Sequence, residues 1–598
     1  MNKQRLVPVI LVMAADFAIA ILLSLYMKLP GVYFDSAITD YIASTLVHPE
    51  IDNQTGMMMS HVGIPFLGSI YHGTLSMFLQ CIILSLFHGS VWTLRFTYVI
   101  YVICCADLIF AFLIRATGNI RIALTGLLLA GTDAAVMTIT RTQYDIMLPG
   151  TVFCLICTLL LQRLISGNTD SFLNNARQLF FMGLCLGIAF YDYFCFIFLA
   201  PVLLVLAWNY CNGHRKYGIG AAIWGFLLGC SLYFCGYADS FLTNIFGSTV
   251  MTRVLYGSFC VLLYIVLLIP AVYILRRREV SRTVRYSYEL AIAAGLMAGL
   301  VIIIRVWPMV YGKLGAVGWG GVTARGQDKS IGDRLVAFFA LFYDLASGKA
   351  AEQQINGAVT SVFAGIYYIV FWVITVISVI MAAARKYRTK RSELIRYMLL
   401  FYLSFYICSL PISANLQPQH FVPLFFMSFE IVFLCIWDLK PVHIPATNIT
   451  GCVLMAGLIM LNINDLGHFY TELMQTQGRG AYSQQVNSLF EAAYEESLTE
   501  RTVYFMLNPG IVPSFIYMTD NHIKVELLYG TDGKEDDEKV QRISQYLKQG
   551  YRVYLLSVYE DYPDVRQKVS GMLNVRISDA YIARDQTGHL VYSRCRVE

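Results

Sequence analysis

Long apolar runs alternate with short basic ones from residue 7 to about residue 464, and the pattern then changes to short mixed segments. Val7 to Met27 is long enough to cross a bilayer, which takes about 20 apolar residues. Comparable runs predict further spans near 92–114, 121–139, 147–166, 179–191, 194–210, 218–236, 254–275, 286–304, 358–384, 396–411, 420–437 and 446–464, about thirteen in all. Residues 66–87 are also apolar, but Gly68, His72, Gly73, Thr74 and Gln80 interrupt them, which predicts a helix lying in or re-entering the membrane interface.

The basic clusters orient these spans. Lys3 and Arg5 precede the first. Arg115 to Arg121, Arg163 to Arg177, His214-Arg215-Lys216, Arg276-Arg277-Arg278 through Arg285, and Arg385 through Arg396 with six basic residues lie between later ones. Cytoplasmic loops carry the excess of Lys and Arg, and all these loops share a side only if the spans between them come in pairs. The opposite face then holds a first loop at 28–91, short loops near Arg141–Asp145 and Asp192, loops at 237–253 and 411–419, a long loop at 305–357, and everything after residue 464. That last part, 465–598, shows strand-like runs at Thr502–Leu507, Ile523–Tyr529 and Arg552–Val558, and helical patterns near Tyr482–Tyr494 and Lys534–Lys548. Strands alternating with helices predict a small extracytoplasmic α/β domain. The fold class expected is therefore a polytopic α-helical membrane protein (1–464) carrying a C-terminal α/β domain.

Composition agrees. Of 598 residues, 57% are hydrophobic and only 14% charged, with a mean hydropathy of +0.58; soluble domains carry about 25% charged residues. A net charge of +5 spread over loops gives no nucleic-acid footprint. The fifteen cysteines fall almost entirely inside apolar runs and behave as small hydrophobes; Cys595 alone lies in the polar C-terminal part, so no internal disulfide is expected there. No cleavable signal peptide is expected, because the first run is too long and lacks a small-residue cleavage site.

Against this apolar background the ionisable residues stand out. Asp35 and Asp40 follow the first span, and either could act as a solvated interfacial acid or as a catalytic one. Arg141 and Asp145 flank the short second outer loop; intramembrane ionisable groups are costly and functional by default, although this pair is also spaced for a local salt bridge. Asp192 sits at an outer break, whereas Asp107 and Asp133 suit buried helix-to-helix hydrogen bonds. Tyr71 and His72 open the interfacial stretch. Arg305, Lys313, Arg325, Lys329 and Arg334 lie on a glycine-rich loop, with Arg95 and His420 at span ends, and such cations suit a phosphate-bearing lipid or anionic headgroups. His48, His61 and His72 share the first loop without H-x-x-x-H spacing, which leaves a divalent metal open and assigns none. There is no Walker A motif, no G-x-S-x-G elbow and no metal-spaced Cys cluster.

The order of these features resembles the GT-C membrane glycosyltransferases, particularly protein O-mannosyltransferases and aminoarabinose-transferase-like enzymes. The residues that carry the resemblance are Tyr33-Phe34-Asp35 after the first span, a first outer loop with interfacial helices, and Phe87-His88-Gly89-Ser90 leading to Arg95. They continue with Asp145 on the second outer loop, the span pair Phe181–Trp208 broken at Asp192, and an outer C-terminal domain. The chain departs from the family in having Asp35-Ser36 where Asp-Glu is common, His72-Gly73 for a Lys-Pro pair, and His420-Phe421 for an Arg-Tyr pair. The resemblance implies transfer of a sugar from a polyprenyl-phosphate donor to a lipid, glycan or protein acceptor on the outer face, with no nucleotide cofactor. It makes Asp35 the preferred general base and gives Asp145 a supporting catalytic role, with Asp40, Tyr71, His72, Arg95, Arg141, Asp192, Arg305, Arg325 and His420 as substrate contacts. The rivals are a lipid or polysaccharide transporter and a non-catalytic membrane protein binding an envelope polymer. The scarcity of disulfides suits a bacterial plasma membrane.

Overall fold

A computed structural model describes residues 3–53, 62–69, 72–167, 172–276, 330–359, 365–384, 389–410, 416–438, 445–507, 511–528 and 537–598. Most of the first 476 residues are helical. The opening elements are α1 (Lys3–Ser24), α2 (Tyr41–Val47), a two-stranded antiparallel pair β1 (Leu67–Ser69) and β2 (His72–Gly73), then α3 (Leu75–Leu84), α4 (Val91–Thr117), α5 (Ile120–Thr132) and α6 (Ala134–Ile139). They are followed by α7 (Leu148–Ser166), α8 (Phe172–Asp192), α9 (Pro201–Tyr210), α10 (Arg215–Gly229), α11 (Ser231–Phe246) and α12 (Val250–Arg276). Further helices run over Ile331–Ser347, Lys349–Asn356, Ile366–Ala384, Lys390–Ser409, Val422–Asp438 and Pro445–Thr476.

Among the described residues, five helices are long and apolar enough to cross a membrane: Val7–Ser24, Val91–Thr117, Gln143–Ser166, Val250–Ile269 and Pro418–Trp437. The bent pair α10–α11, with 52° between its halves, makes a sixth if taken as one span. The expected count of about thirteen is not confirmed among these residues, and where single runs fall short the reasons are local. The run 121–139 breaks at Asp133, whose carboxylate accepts the Ala135 N–H at 2.9 Å and caps α6. The run 194–210 opens with a 3-10 turn, Phe194–Leu199, before α9. The run 286–304 lies outside the described residues. Hydropathy averaged over a window passes over such breaks. Among the described residues of 66–87 only Leu75–Leu84 is helical, about 15 Å of rise against a hydrocarbon core of about 30 Å.

Among the described residues, α8 and α10 form the closest helix pair. Gly183 and Gly187 on α8 face α10, and Gly225 and Gly229 on α10 face α8; a Cβ on any of the four would overlap a carbonyl oxygen of the other helix. Each pair has G-x-x-x-G spacing, the small-residue device by which membrane helices bring their backbones together.

The C-terminal part is a five-stranded sheet in the order β4-β3-β5-β7-β6, with strands β3 (Thr502–Met506), β4 (Lys524–Leu527), β5 (Arg552–Val558), β6 (Tyr581–Arg584) and β7 (Leu590–Val597). β3 pairs parallel with β4 and β5, while β7 pairs antiparallel with β5 and β6. Side chains alternate along the strands. Val503, Phe505, Val553 and Leu555 pack with Val540, Ile543, Val565 and Val569 of the helices Asp537–Lys548 and Pro563–Leu573. Tyr504, Met506, Tyr554 and Leu556 turn the other way and join the large core shared with the bundle, through Phe490 and Phe515 of the helices Gln484–Thr499 and Val512–Met518. The sheet is thus fastened to one end of the bundle.

Candidate functional site

At that end three single 3-10 turns meet: Phe34–Ala37, Gln143–Met147 and Pro418–Phe421. The middle one packs against both others. The first carries Asp35, whose side chain is outside the described part, the second carries Asp145, and the third His420. The second and third turns lead directly into α7 and the helix Val422–Asp438.

Two buried guanidinium groups hold the strap that leads to the first turn. Arg141 donates through Nη2 to the carbonyls of Leu23 at 2.9 Å and Leu25 at 2.7 Å, and through Nη1 to Met27 at 3.0 Å. Arg95, in the first turn of α4, donates to Met27 O at 2.7 Å and Gly31 O at 3.4 Å. The last carbonyls of a helix have no partner within it and carry partial negative charge. Arg141 therefore completes the last turn of α1 through the Leu23 carbonyl, and both arginines hold the strap that follows it. The local Arg141–Asp145 salt bridge does not form: α6 ends at Ile139 and Thr142 caps a new turn, so the two residues do not share a helix face. Arg141 Nε and Asp145 Oδ1 are buried and lack a hydrogen-bond partner. Asp145 interacts electrostatically with Arg95 and Asp40.

Asp40 is fully buried and accepts the Tyr98 hydroxyl at 2.5 Å. Thr39, Ser76 and Gln80 surround it, and burial pushes its carboxyl up to about 6. Asp192, the last residue of α8, accepts the Gly150 N–H of the first turn of α7 at 2.8 Å, an acid placed at a helix N-terminus. It also interacts electrostatically with Asp40. His72 on β2 bridges to Tyr193 and stacks on its ring, with centroids 6.1 Å apart, and burial pulls His72 down to about 4. The Tyr193 hydroxyl lies 3.2 Å from His420 Nε2.

Asp40, His72, Arg95, Arg141, Asp145, Asp192 and His420 are thus gathered in one buried polar layer. Tyr71, Arg305 and Arg325 lie outside the described residues. Asp107 sits deep in α4, beside Asp16 of α1 rather than at this layer. Asp133 faces Asp465 across a separate small cavity lined by Ser347, Tyr367 and Asn462. Sequence reading missed Tyr98, Gln143, Tyr193 and Tyr482. Tyr98 lies one helical turn from Arg95, a spacing that could have found it; Tyr482 carries no local signal. Among the described residues, no three of His, Cys, Asp and Glu are placed to hold a metal ion, and no metal is given a role here.

No protein-family model matches the chain, and no curated protein does. Several solved structures are similar in shape. The oligosaccharyltransferase AglB from Archaeoglobus fulgidus, in complex with an inhibitory peptide and a dolichol-phosphate, has a TM-score of 0.44 and 12% identity over 99% of this chain and 74% of its own. ArnT from Cupriavidus metallidurans bound to undecaprenyl phosphate has a TM-score of 0.42 and 12% identity over 98% and 97%. The Saccharomyces cerevisiae protein O-mannosyltransferase Pmt1-Pmt2 complex bound to the sugar donor has a TM-score of 0.29 and 15% identity over 42% and 35%. Scores of this size do not by themselves place a chain in a family.

Proposed function

We propose that the chain is an integral membrane glycosyltransferase that moves a sugar from a polyprenyl-phosphate donor to a lipid, glycan or protein acceptor. Residues 1–464 form its membrane domain and 465–598 an extracytoplasmic domain, in the plasma membrane of a bacterium. The observation that carries this reading is the buried polar layer at the sheet-bearing end of the bundle, where Asp145 Oδ1 and Arg141 Nε are left without partners. A buried polar atom without a partner costs about 1–3 kcal/mol, and a ligand bearing both hydroxyl and anionic oxygen would satisfy both kinds. A transport path favours ionisable groups strung through the bilayer depth, whereas these gather at one level.

In this reading the Asp35 carboxylate takes the proton of the acceptor hydroxyl as its oxygen bonds to the anomeric carbon. The bond from that carbon to the phosphate oxygen breaks, and the polyprenyl phosphate leaves with the electron pair. Asp145 stabilises positive charge developing on the sugar ring. Arg305 and Arg325 neutralise the leaving phosphate, while Arg95 and Arg141 hold the strap. The test is transfer of labelled sugar from a synthetic polyprenyl-phosphate sugar to membrane acceptors, in wild type and in Asp35→Asn. Transfer by the wild type and its loss in the variant is expected. Undiminished transfer in Asp35→Asn removes it as the base, and no transfer by wild type from any such donor removes the reading.

A further inference from the structure

Asp585, on the tight turn between β6 and β7, is far in sequence from every residue of the polar layer, yet its carboxylate is buried. Oδ1 accepts the Thr587 N–H at 2.9 Å, the Thr587 hydroxyl at 2.7 Å and the His589 N–H at 3.0 Å, which accounts for the turn itself. Oδ2 instead leaves the hairpin and accepts the Gly480 N–H at 2.8 Å; His589 Nδ1 lies 3.8 Å from the same oxygen. Burial raises this carboxyl, and the bonds from Thr587, Gly480 and His589 outweigh it, holding it below its ordinary value.

Gly480, in the left-handed region at φ +51°, opens the 3-10 turn Gly480–Tyr482. Tyr482 touches the strap just before the first acid-bearing turn and the opening residue of the second. Its carbonyl accepts the Gly31 N–H at 2.6 Å, and its ring stacks on Tyr33 with centroids 5.2 Å apart and planes at 22°. Its hydroxyl donates to Gln143 Oε1 at 3.3 Å. Tyr33 directly precedes the Asp35 turn, and Gln143 begins the Asp145 turn. A Cβ on Gly31 would overlap the Ser483 carbonyl, so strap and turn lie in direct backbone contact. Asn487 adds a second stitch, accepting the Val32 N–H at 3.2 Å and donating to Lys28 O at 2.7 Å.

We propose that Asp585 is a positioning residue for the carboxylate pair, acting through Gly480 and Tyr482 to fix the spacing of the Asp35 and Asp145 turns. The assignment of a reaction to those turns rests on the function proposed above. The C-terminal sheet is then part of the catalytic apparatus and more than an acceptor-facing appendage.

Asp585→Asn tests this, since the amide keeps an oxygen for the Thr587–His589 turn and turns an NH2 group toward Gly480. Thr587→Val is the control that loosens the hairpin alone. Asp585→Asn should lower kcat about tenfold or more through misplacement of reacting groups, with donor KM and melting temperature near wild type. Thr587→Val should leave kcat unchanged. Tyr482→Phe should lower kcat, and the double variant with Asp585→Asn should be no worse than the poorer single one. Amide hydrogen exchange of peptides covering 28–37 should speed up in Asp585→Asn, which is readable whether or not transfer occurs. Unchanged exchange there, a wild-type kcat in Asp585→Asn, or an equal loss in Thr587→Val each overturns the inference. An inactive wild type with faster exchange in Asp585→Asn leaves the mechanical link standing and overturns the reaction assigned to it.

Discussion

In the C-terminal region Arg566 pairs with Asp561, Arg594 with Glu496, and Arg542 with both Glu526 and Glu538. At the bundle end Arg95 and Arg141 turn their guanidinium groups to backbone carbonyls, and Asp145 and Asp192 make no ion pair with either. In the first arrangement charge meets charge: the exposed Arg542 pairs are worth roughly 0–1 kcal/mol each, and the largely buried Arg566–Asp561 and Arg594–Glu496 pairs offset their desolvation with a direct partner. The second takes charge out of water and leaves it incompletely matched, which is costly unless something else completes it. Charge in the sheet region thus serves local geometry, and charge in the polar layer is held ready for a partner. That contrast can be attacked at several points.

The largest effect is expected at Asp145. Asp145→Asn should cut sugar transfer by at least about 100-fold, within the range for a positioned acid–base or charge-stabilising group, with melting behaviour intact. Transfer within a fewfold of wild type would mean that the layer's unmatched acid is structural. Next is Arg141→Met, which takes the donor from the Leu23 and Leu25 carbonyls and one of two donors from Met27; thermal or denaturant unfolding in detergent should show a loss of about 2–5 kcal/mol, at about 1–3 for each carbonyl left without a donor. Arg141→Lys should recover only part of it, because an ammonium cannot span carbonyls as a planar fork does.

The pH response of the first loop should have two opposing slopes. Asp40 is pushed up to about 6 from 3.8, so between those values the folded chain holds a proton that the unfolded chain does not. Its contribution to stability is fully present below about pH 4 and falls as pH rises through 6, by about 3 kcal/mol at roughly 1.4 kcal/mol per unit. Asp40→Asn should flatten that limb and be the more stable protein at pH 7.5. His72 runs the other way, pulled down to about 4 from 6.5. Stability should fall as pH drops from 6.5 to 4, again by about 3 kcal/mol, and His72→Gln should remove that limb. The two limbs overlap between pH 4 and 6.5 and nearly cancel in the wild type, so melting curves of the two single variants from pH 4 to 8 check each slope; a profile in either variant that stays parallel to the wild type would show that its group is not desolvated as described. The smallest effect belongs to the sheet region, where Arg542→Ala should change stability by less than about 1 kcal/mol.

How much of this the sequence disclosed depended on contrast. Asp145 and Asp192 were visible because an acid in an apolar run has no bland surroundings to hide in. The strands at 502, 524 and 552 were visible because short β-branched and aromatic runs lie between polar breaks. β6 and β7 were not: Arg584, Arg594 and Arg596 interrupt their pattern, as suits strands toward the sheet's edge. The Arg141–Asp145 spacing misled because helical neighbours are counted on an unbroken helix, and Thr142 starts a new turn between them. Tyr482 and Gln143 were out of reach, since their roles exist only through contacts spanning more than 300 positions.

The glycine seam between α8 and α10 bears on Asp192. Two helices in backbone contact have no side-chain cushion to absorb a small displacement, so they travel as one rod. The two helices run parallel, so Asp192 at the end of α8 and the Cys230 bend at the end of α10 lie at the same end of that rod. A tilt at the bend therefore reaches the carboxylate without slack, and with it the first turn of α7 that the carboxylate holds.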